Sequence, residues 1–212
     1  MKKVYFVRHG ESEANAGDFH SSPPVPLTHK GREQAQFIAE RCAKLPIEAL
    51  ITSSYVRTKQ TAEFISKKIQ IPAEESDLFV ENRSVSTLWG KSRTEEASKN
   101  TMQLITQNWG MPGFRVGDEE NFEDIVHRVD AALDFLANKK EEHIGVVTHA
   151  GFMRNIVGRA LFRDSFTPAV STTIFRSLHV MENTGLTVLS YDGQNTEHPW
   201  MLWVWNDYAH LG

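Results

Sequence analysis

Two histidines of the chain follow directly after short apolar runs, and an arginine precedes one of them. Arg8 and His9 come after the run 4–7, and His149 comes after the run 144–148. Such runs, rich in β-branched and aromatic residues, are typical of buried strands. Ligands of open α/β sheets bind beyond the carboxyl ends of the strands. A cation and a nucleophilic imidazole are therefore expected where a ligand would lie.

A second arginine follows a third apolar run. The run 49–52 leads into a segment that carries Arg57 near its start. The apolar residues of this segment have helical spacing: Ala62, Ile65 and Ile69. A helix N-terminus favours an anion, and a guanidinium holds two phosphate oxygens at once. By position alone, Arg57 is better explained as an exposed helix residue, because arginine is mostly exposed in proteins.

The rest of the chain predicts helices and strands in alternation. Apolar residues three and four apart predict helices at about 29–45, after the N-cap residue Thr28, and at about 122–136 and 152–162. Later apolar runs predict strands at 178–181, 186–191 and 202–205. This alternation is typical of an α/β protein with a mostly parallel sheet.

Two stretches lack this periodicity. Residues 18–26 contain three prolines, which forbid a helix there. Residues 83–121 are polar, with tryptophan and glycine embedded in them, and long segments of this kind usually form lids or binding loops. We therefore expect a lid or specificity segment at about 83–121, with a short helix near 94–107, inside a single domain spanning 1–212.

The composition argues against several classes of function. Of 212 residues, 40% are hydrophobic and 24% are charged, which is ordinary for a globular protein with one sizeable core. The net charge of −4 argues against general binding of nucleic acid or of a membrane surface. Cys42, the only cysteine, permits no internal disulfide and is predicted to be a buried thiol. We expect neither a signal peptide nor a membrane-spanning run, so the predicted location is the cytoplasm.

Several short motifs follow one another along the chain. They are Arg8-His9-Gly10-Glu11-Ser12 with Asn15, Leu27-Thr28-x-x-Gly31-x-x-Gln34-Ala35, Ser53-x-x-x-Arg57-x-x-Gln60-Thr61-Ala62, Val146-x-x-His149-x-Gly151 and the tail Asn206-Asp207-x-x-His210-Leu211. Together they resemble the histidine phosphatase superfamily (branch 1), which includes the cofactor-dependent phosphoglycerate mutases. The resemblance implies a three-layer α/β/α sandwich with a mostly parallel central sheet.

The resemblance also implies roles for individual residues. His9 is the implied nucleophile, which forms a phosphohistidine, and its second ring nitrogen is expected to bond the carbonyl of Gly10. His149 is expected to be protonated, or at least to donate a hydrogen bond, beside the phosphoryl oxygens. The implied phosphate-binding groups are Arg8, Asn15, Arg57 and backbone N–H groups near Ser21 and Ala150.

Glu81 is the implied proton donor, because family members carry an acidic residue soon after an apolar one in this region. The family's usual continuation has a glycine, a tryptophan and a second glycine at set steps. This chain does not reproduce it, and residues 84–90 stand in its place. If Glu81 is not the acid, a carboxylate of the lid such as Glu95 or Glu96 is the alternative.

We therefore expect a metal-independent phosphomonoester hydrolase that acts through a phosphohistidine on a small phosphorylated metabolite. A phosphoglycerate-type phosphomutase shares the chemistry and remains the alternative, although the departure after Glu81 and the modest length favour a hydrolase. The intact histidines and arginines argue against a non-catalytic phospho-ligand binder. A zinc site of His9 and His149 lacks a third ligand at suitable spacing. No metal or other cofactor is expected, and the expected partner is a small phosphate ester.

Overall fold

The computed structural model describes residues 1–178 and 181–212. Six strands in these residues form one sheet, in the order β3-β2-β4-β1-β5-β6. The strands are β1 (Lys2–Arg8), β2 (Ala49–Thr52), β3 (Ala73–Glu75), β4 (His143–Thr148), β5 (Leu186–Tyr191) and β6 (Trp200–Asp207). The predicted strands at 4–7, 49–52, 144–148 and 186–191 are confirmed, and the predicted strand at 202–205 extends by two residues at each end.

The strand register brings three strand ends to one edge of the sheet. β1 and β2 both pair parallel with β4, and Val147 lies opposite both Val7 and Thr52. The carboxyl ends of β1, β2 and β4 are therefore level. β3 is also parallel to β2, whereas β5 runs antiparallel to β1 and to β6. The prediction of a mostly parallel sheet is confirmed.

The chain has seven α-helices among the described residues, and four of them cover the two faces of this sheet. The helices are α1 (Glu13–Ala16), α2 (His29–Cys42), α3 (Val56–Ile69), α4 (Glu96–Gln107), α5 (Phe122–Asn138), α6 (Ala150–Phe162) and α7 (Pro168–Ser177). Those that cover the sheet are α2, α3, α5 and α6. Successive β1 side chains point to opposite faces, so Val4 and Phe6 pack with α5 and α6, while Tyr5 and Val7 pack with α2 and α3. Two cores thus lie on either side of one sheet, and the predicted three-layer α/β/α sandwich is confirmed.

Local sequence signals account for the helix ends. The side chain of Thr28 accepts a hydrogen bond from the amide of Gly31, as expected of the N-cap of α2. Asn121 and Asp124 bond reciprocally to each other's backbone amides and form a capping box at the start of α5. Cys42 lies on the buried side of α2, as predicted, and burial raises the pKa of its thiol to about 12.

The prediction of a strand at 178–181 is wrong at Leu178 and Met181, the two residues of this stretch that the structure describes. Leu178 caps the end of α7 and Met181 belongs to no strand, while His179 and Val180 lie outside the described residues. The helix α7 was not predicted. Thr167 caps it and Pro168 occupies its first turn, where a missing N–H has no cost. The cap and the proline favour a helix here, although the β-branched residues inside α7 have a lower helix propensity.

The segment 83–121 carries little regular structure. It contains α4, which confirms the helix predicted near 94–107, and a single 3-10 turn at Ser86–Leu88. Glycines 90, 110, 113 and 117 adopt positive φ in this segment, so tight turns connect its parts. Among the described helices, none is both long and apolar enough to cross a membrane.

Candidate active site

A cavity of about 790 Å³ opens beyond the level ends of β1, β2 and β4. Seven of the eight residues predicted for the site line it: Arg8, His9, Asn15, Ser21, Arg57, Glu81 and Ala150. The eighth, His149, is fully buried and does not line the cavity, but its ring centroid lies 5.1 Å from that of His9. The structure thus brings the predicted residues together.

The His9 ring is held by a hydrogen bond at each nitrogen. Nδ1 lies 2.7 Å from the carbonyl oxygen of Gly10, which can only accept, so Nδ1 carries the proton. Nε2 therefore has a lone pair, and Nε of Arg57 donates to it at 3.2 Å. Burial and the charges of Arg57 and Arg8 hold the pKa of His9 well below its usual range. At neutral pH, His9 presents a neutral nucleophilic nitrogen.

Close backbone packing keeps the loop after β1 in place. A Cβ on Gly10 would collide with the carbonyl of Gly31 at the start of α2, and a Cβ on Gly31 would collide with the carbonyl of Glu11. Both glycines therefore permit a close contact between the backbone after β1 and the backbone at the start of α2, which a residue with a Cβ would block. The motif around Gly31 positions the segment that bears His9.

Two arginines, Arg57 buried and Arg8 partly buried, supply the positive charge of the inner cavity. Arg57 is 3% exposed, and its Nη1 donates to the carbonyl of Ser22 at 3.0 Å. Burial lowers the pKa of Arg57 to about 10, which still leaves it charged at neutral pH. Arg8 donates to the carbonyl of Met181. Burial also lowers the pKa of Arg8, while the charges of Glu81 and Glu182 act in the opposite direction.

His149 is neutral in this structure, not protonated. Burial first, and the charge of Arg57 second, hold its pKa well below the usual range. Its Nε2 lies 2.9 Å from Oγ of Ser53, which also accepts from the amide of Tyr55. The Ser53 hydroxyl proton has no other acceptor among the described residues, so it donates to Nε2. This leaves the hydrogen on Nδ1, which has no described partner, and His149 acts as a neutral donor.

Glu81 lies at the N-terminus of α6. Its carboxylate accepts from the amides of Gly151 and Phe152 at 3.2 and 2.8 Å. A Cβ at Gly151 would lie 2.6 Å from Oε1 of Glu81, so the glycine provides the space for the carboxylate. Free amides at a helix N-terminus favour an anion. The alternatives Glu95 and Glu96 do not line the cavity.

Three weaker predictions also concern residues at this cavity. Oδ1 of Asn15 accepts from the amide and the hydroxyl of Ser12 at 3.1 and 3.0 Å. This orientation leaves Nδ2 of Asn15 as the donor toward the cavity. Ala150 is the first residue of α6, where the backbone N–H has no intrahelical acceptor. Ser21 lies on the wall formed by the proline-rich loop.

A buried ion pair that the sequence analysis missed holds the segment around Glu81. Arg128 of α5 and Glu120 are each 8% exposed and lie 2.6 Å apart. Arg128 also donates to the carbonyls of Leu78, Val80 and Glu81 at 3.1, 2.9 and 3.4 Å. Helical periodicity places Arg128 beside the apolar stripe of α5, but it does not reveal which loop accepts its hydrogen bonds.

The outer wall of the cavity comes from the segment 83–121 and the proline-rich loop. Its residues include His20, Trp89, Arg93, Lys99 and Met102, none of which the sequence analysis assigned to the site. The amide of His20 donates to the carbonyl of Lys91 at 3.0 Å, and the amide of Gly90 donates to the carbonyl of His20 at 2.9 Å. These bonds connect the loop to the lid segment.

The described residues contain no cluster of three His, Cys, Asp or Glu side chains that could hold a metal ion. The cavity is lined instead by a lone-pair nitrogen, two guanidinium groups and a carboxylate, and a neutral imidazole donor lies beside the lone-pair nitrogen. This set suits the binding of a phosphoryl group and its transfer to nitrogen.

Comparison with known proteins agrees with this chemistry. A family model described as histidine phosphatase superfamily (branch 1) matches residues 4–206. A relative named phosphoglycerate mutase GpmB, from Photorhabdus laumondii, is 34% identical over 146 residues, which cover 65% of this chain and 64% of the relative. A relative of the same name from Salmonella typhi is 36% identical over 143 residues, or 63% and 62% of the two chains. The matched part of this chain spans less than two thirds of the length of these relatives.

Solved structures share the fold at lower identity. A phosphoserine phosphatase from Entamoeba histolytica, in complex with phosphoserine, is 19% identical, with a TM-score of 0.79 and full coverage of both chains. A mycobacterial glucosyl-3-phosphoglycerate phosphatase is 18% identical, with a TM-score of 0.78 and coverage of 97% and 99%. The family match runs over nearly all residues and includes the segments that line the cavity. The chain therefore belongs to the histidine phosphatase superfamily, branch 1.

Proposed function

We propose that the chain is a metal-independent phosphomonoester hydrolase that acts on a small phosphorylated metabolite through a phosphohistidine. The observation that carries this proposal is the setting of His9. Its Nδ1 proton is fixed on the carbonyl of Gly10, and its Nε2 lone pair is directed at the guanidinium of Arg57. A phosphoryl group bound by Arg57 would lie next to the attacking nitrogen.

The reaction has two steps. In the first, the lone pair on Nε2 of His9 forms a bond to phosphorus while the bond between phosphorus and the ester oxygen breaks. Glu81 gives a proton to the departing oxygen, and the alcohol leaves. In the second step, Glu81 takes a proton from water, whose oxygen attacks phosphorus. The bond from phosphorus to nitrogen then breaks, which returns neutral His9 and inorganic phosphate.

The same cavity stabilises the charge in both steps. Arg8 and Arg57 bind phosphoryl oxygens, while Nδ1 of His149 and Nδ2 of Asn15 add neutral donors. These groups are positioned by the fold before the substrate arrives, so little reorganisation is needed in the transition state. Removing one donor from such a site costs about 3–4 kcal/mol, or two to three powers of ten in rate.

A phosphoglycerate-type mutase is the second candidate, because curated relatives that match part of this chain carry that name. A mutase keeps its phosphoenzyme away from water until an acceptor alcohol binds. The exposed side chains Trp89 and Met102 leave the outer cavity open to solvent, which favours hydrolysis. The departure from the family pattern after Glu81 favours a hydrolase as well.

A trapping experiment tests the nucleophile. Enzyme mixed with radiolabelled substrate and quenched in base should retain about one phosphoryl group per chain, because a phosphorus–nitrogen bond is base-stable and acid-labile. His9→Ala should lose both the label and the turnover. His149→Ala should still label slowly, because it removes a donor but keeps the nucleophile. Normal labelling of His9→Ala would overturn the assignment.

Two measurements separate the remaining alternatives. In a hydrolase the trapped label should decay in water without an added alcohol, whereas in a mutase it should persist and move to 3-phosphoglycerate. Turnover of an aryl phosphate should survive excess chelator, because the arginines supply the positive charge. Loss on chelation with recovery on adding a divalent ion would contradict the metal-free mechanism.

A further inference from the structure

The ring of Tyr55 contacts two of the side chains that would bind the phosphoryl group. Its centroid lies 5.1 Å from that of His149, with the two ring planes at 66°, and the central carbon of the Arg57 guanidinium lies over the Tyr55 ring, 5.0 Å from its centroid. Tyr55 also lines the cavity, whereas His149 does not. Rings at such an angle attract each other edge to face, and a cation within about 6 Å of a ring centroid is attracted by the π-electrons.

The backbone of Tyr55 is fixed at the start of α3. Tyr55 is the residue before this helix, and its carbonyl accepts from the amides of Thr58 and Lys59, both at 3.1 Å. Its own amide donates at 3.3 Å to Oγ of Ser53, the hydroxyl that donates to Nε2 of His149. Hydrogen bonds therefore hold both sides of the residue, and the backbone and the ring of Tyr55 both act on His149.

His149 is enclosed by the rings of Tyr55 and His9, whose centroids both lie 5.1 Å from its own. Its Nδ1 is buried and has no hydrogen-bond partner among the described residues. The charged and titratable side chains that act on His149 come from α3, from the end of β1 and from α5: Arg57, His9, Arg8 and Arg128. Because Nδ1 is buried, a phosphoryl group would not have to displace water from this donor.

The guanidinium of Arg57 is held by the same ring. Its Nε and Nη1 donate to Nε2 of His9 and to the carbonyl of Ser22 at 3.2 and 3.0 Å. The cation–π contact with Tyr55 adds a third support. Burial raises the pKa of Tyr55 above its ordinary value, so the phenol carries no charge at neutral pH and does not compete with a phosphate for Arg57.

We propose that Tyr55 is a positioning residue of the active site, whose ring holds Arg57 in place for the phosphoryl group and keeps water from His149. The inference rests on the proposed function, because it assumes that Arg57 and His149 bind the reacting phosphoryl group. Tyr55 acts through these two residues and needs no bond of its own to the substrate. The aromatic ring, and not the hydroxyl, is therefore the part of the side chain that the reaction requires.

Three substitutions separate the two effects of the ring in steady-state kinetics on an aryl phosphate. Tyr55→Phe keeps the ring and should retain kcat/KM within about twofold. Tyr55→Leu keeps an apolar side chain beside His149 but offers Arg57 no π-electrons, and it should lower kcat/KM by about tenfold. Tyr55→Ala loses both effects and should lower kcat/KM at least as much. An unchanged Tyr55→Leu variant, or a Tyr55→Phe variant as impaired as Tyr55→Leu, would overturn the proposal.

A double-mutant cycle shows whether Tyr55 acts through Arg57. In the Arg57→Ala background, Tyr55→Leu should lower kcat/KM by about twofold or less, because the cation that the ring supports is absent. A second tenfold loss in this background would mean that Tyr55 does not act through Arg57. Tyr208→Ala is the matched control, since Tyr208 is exposed and does not line the cavity, and its kcat/KM should equal that of the unchanged chain.

The protonation of His149 tests the exclusion of water. Nitrogen-15 NMR of the imidazole rings follows it between about pH 7 and about pH 5, and His149→Asn assigns the signal. The ring should stay neutral in the unchanged chain, in Tyr55→Phe and in Tyr55→Leu. In Tyr55→Ala it should begin to protonate, because burial is the first cause of the lowered pKa of His149. An unchanged titration in Tyr55→Ala would contradict this role. If Tyr55→Ala does not fold, Tyr55→Gln, which places polar atoms beside His149, takes its place.

Base-stable labelling separates this inference from the proposed function. If the unchanged chain forms no base-stable label and turns over no phosphate ester, the proposed function is wrong, while the titration of His149 still tests its contact with Tyr55. If the unchanged chain forms the label and Tyr55→Leu forms it at the same rate, the inference alone is wrong.

Discussion

The inner and outer parts of the cavity are built in different ways. The inner part consists of residues at the ends of β1, β2 and β4, and its side chains are buried and hydrogen-bonded on several sides. His9 and Arg57 are 4% and 3% exposed. The outer part comes largely from the segment 83–121, where Trp89 and Met102 are 42% and 40% exposed. Fixed side chains surround the reacting atoms, and exposed ones surround the rest of the substrate.

The inner and outer parts of the cavity therefore have different roles in the reaction. Groups that stabilise a transition state act best when the fold positions them beforehand, since reorganisation at the moment of reaction weakens them. Groups that select a substrate need only differ in affinity between one ligand and another. We therefore expect substitutions in the inner part to reduce rate or stability for every substrate. Substitutions in the lid should change the ranking of substrates.

The largest expected effect concerns the buried pair of Arg128 and Glu120. Arg128→Met leaves the Glu120 carboxylate buried without its partner and should lower the free energy of unfolding by about 3–5 kcal/mol. It should also loosen Glu81, so the remaining activity should fall more for alkyl than for aryl phosphates. Urea unfolding and paired kinetics measure both quantities.

The control for this variant is Arg115→Met. Arg115 pairs with Asp124 at 2.6 Å, but its side chain is half exposed, so the loss should stay below about 1 kcal/mol. Equal losses of unfolding free energy in Arg128→Met and Arg115→Met would contradict the importance of burial for the pair of Arg128 and Glu120. A stability loss with an unchanged ratio of alkyl to aryl activity would mean that Arg128 does not position Glu81.

The next effect compares two arginines, one from each part of the cavity. Arg57→Ala should reduce kcat/KM by about 10²–10³ for every substrate, because it removes a charge at the reacting phosphoryl group. Arg93→Ala should reduce it by about tenfold or less, because Arg93 is half exposed at the outer wall and lies away from the reacting phosphoryl group. Steady-state kinetics on a plain aryl phosphate measures the loss of kcat/KM in both variants. Similar losses for Arg57→Ala and Arg93→Ala on this substrate would contradict the different roles of the inner and outer parts.

A third effect concerns proton transfer by Glu81. An alkyl oxygen needs a proton in order to leave, whereas an aryl oxygen needs little help. Glu81→Gln should therefore lower kcat for an alkyl phosphate by about 10²-fold or more, and for an aryl phosphate by much less. Glu95→Gln is the matched control outside the cavity. Equal losses on both substrates would show that another group is the acid.

The smallest effect is on the pH dependence of stability. The pKa of His9 and that of His149 are held well below the ordinary histidine value in the folded chain. The unfolded chain therefore binds protons that the folded chain excludes, so stability falls as the pH drops below about 6.5. Each such histidine contributes up to about 1.4 kcal/mol per pH unit. His9→Asn should reduce this slope, measured by urea unfolding between about pH 6.5 and pH 5; an unchanged slope would contradict a neutral buried ring.

The inner part of the cavity was the more predictable from sequence. The apolar runs at 4–7, 49–52 and 144–148 mark strands, and a residue that directly follows a parallel strand lies at the sheet edge where ligands bind. The positions of His9 and His149 follow from this local rule. The packing of Gly10 against Gly31 does not, because it depends on how the loop after β1 meets α2.

Other features depend on contacts between residues far apart in sequence. The bond between Ser53 and His149 joins the ends of the neighbouring strands β2 and β4, and it favours the neutral donor among the two states expected of His149. The hydrogen bonds from Arg128 reach a loop nearly fifty residues away. The outer wall has no hydrophobic periodicity, so the sequence does not show that His20 bonds the backbone of Gly90 and Lys91 in the lid.

The hydrogen bond that fixes the proton of His9 lies within one dipeptide. The tautomer of His9 is set by the carbonyl of the very next residue, so the nucleophile carries its own orienting group within a dipeptide. Exchanging the segment 84–119 for that of another family member, which keeps Glu120 and its pair with Arg128, therefore leaves the proton on Nδ1 undisturbed. The chain is in this respect a modular scaffold, on which new substrate preferences can be grafted without rebuilding the reactive nitrogen.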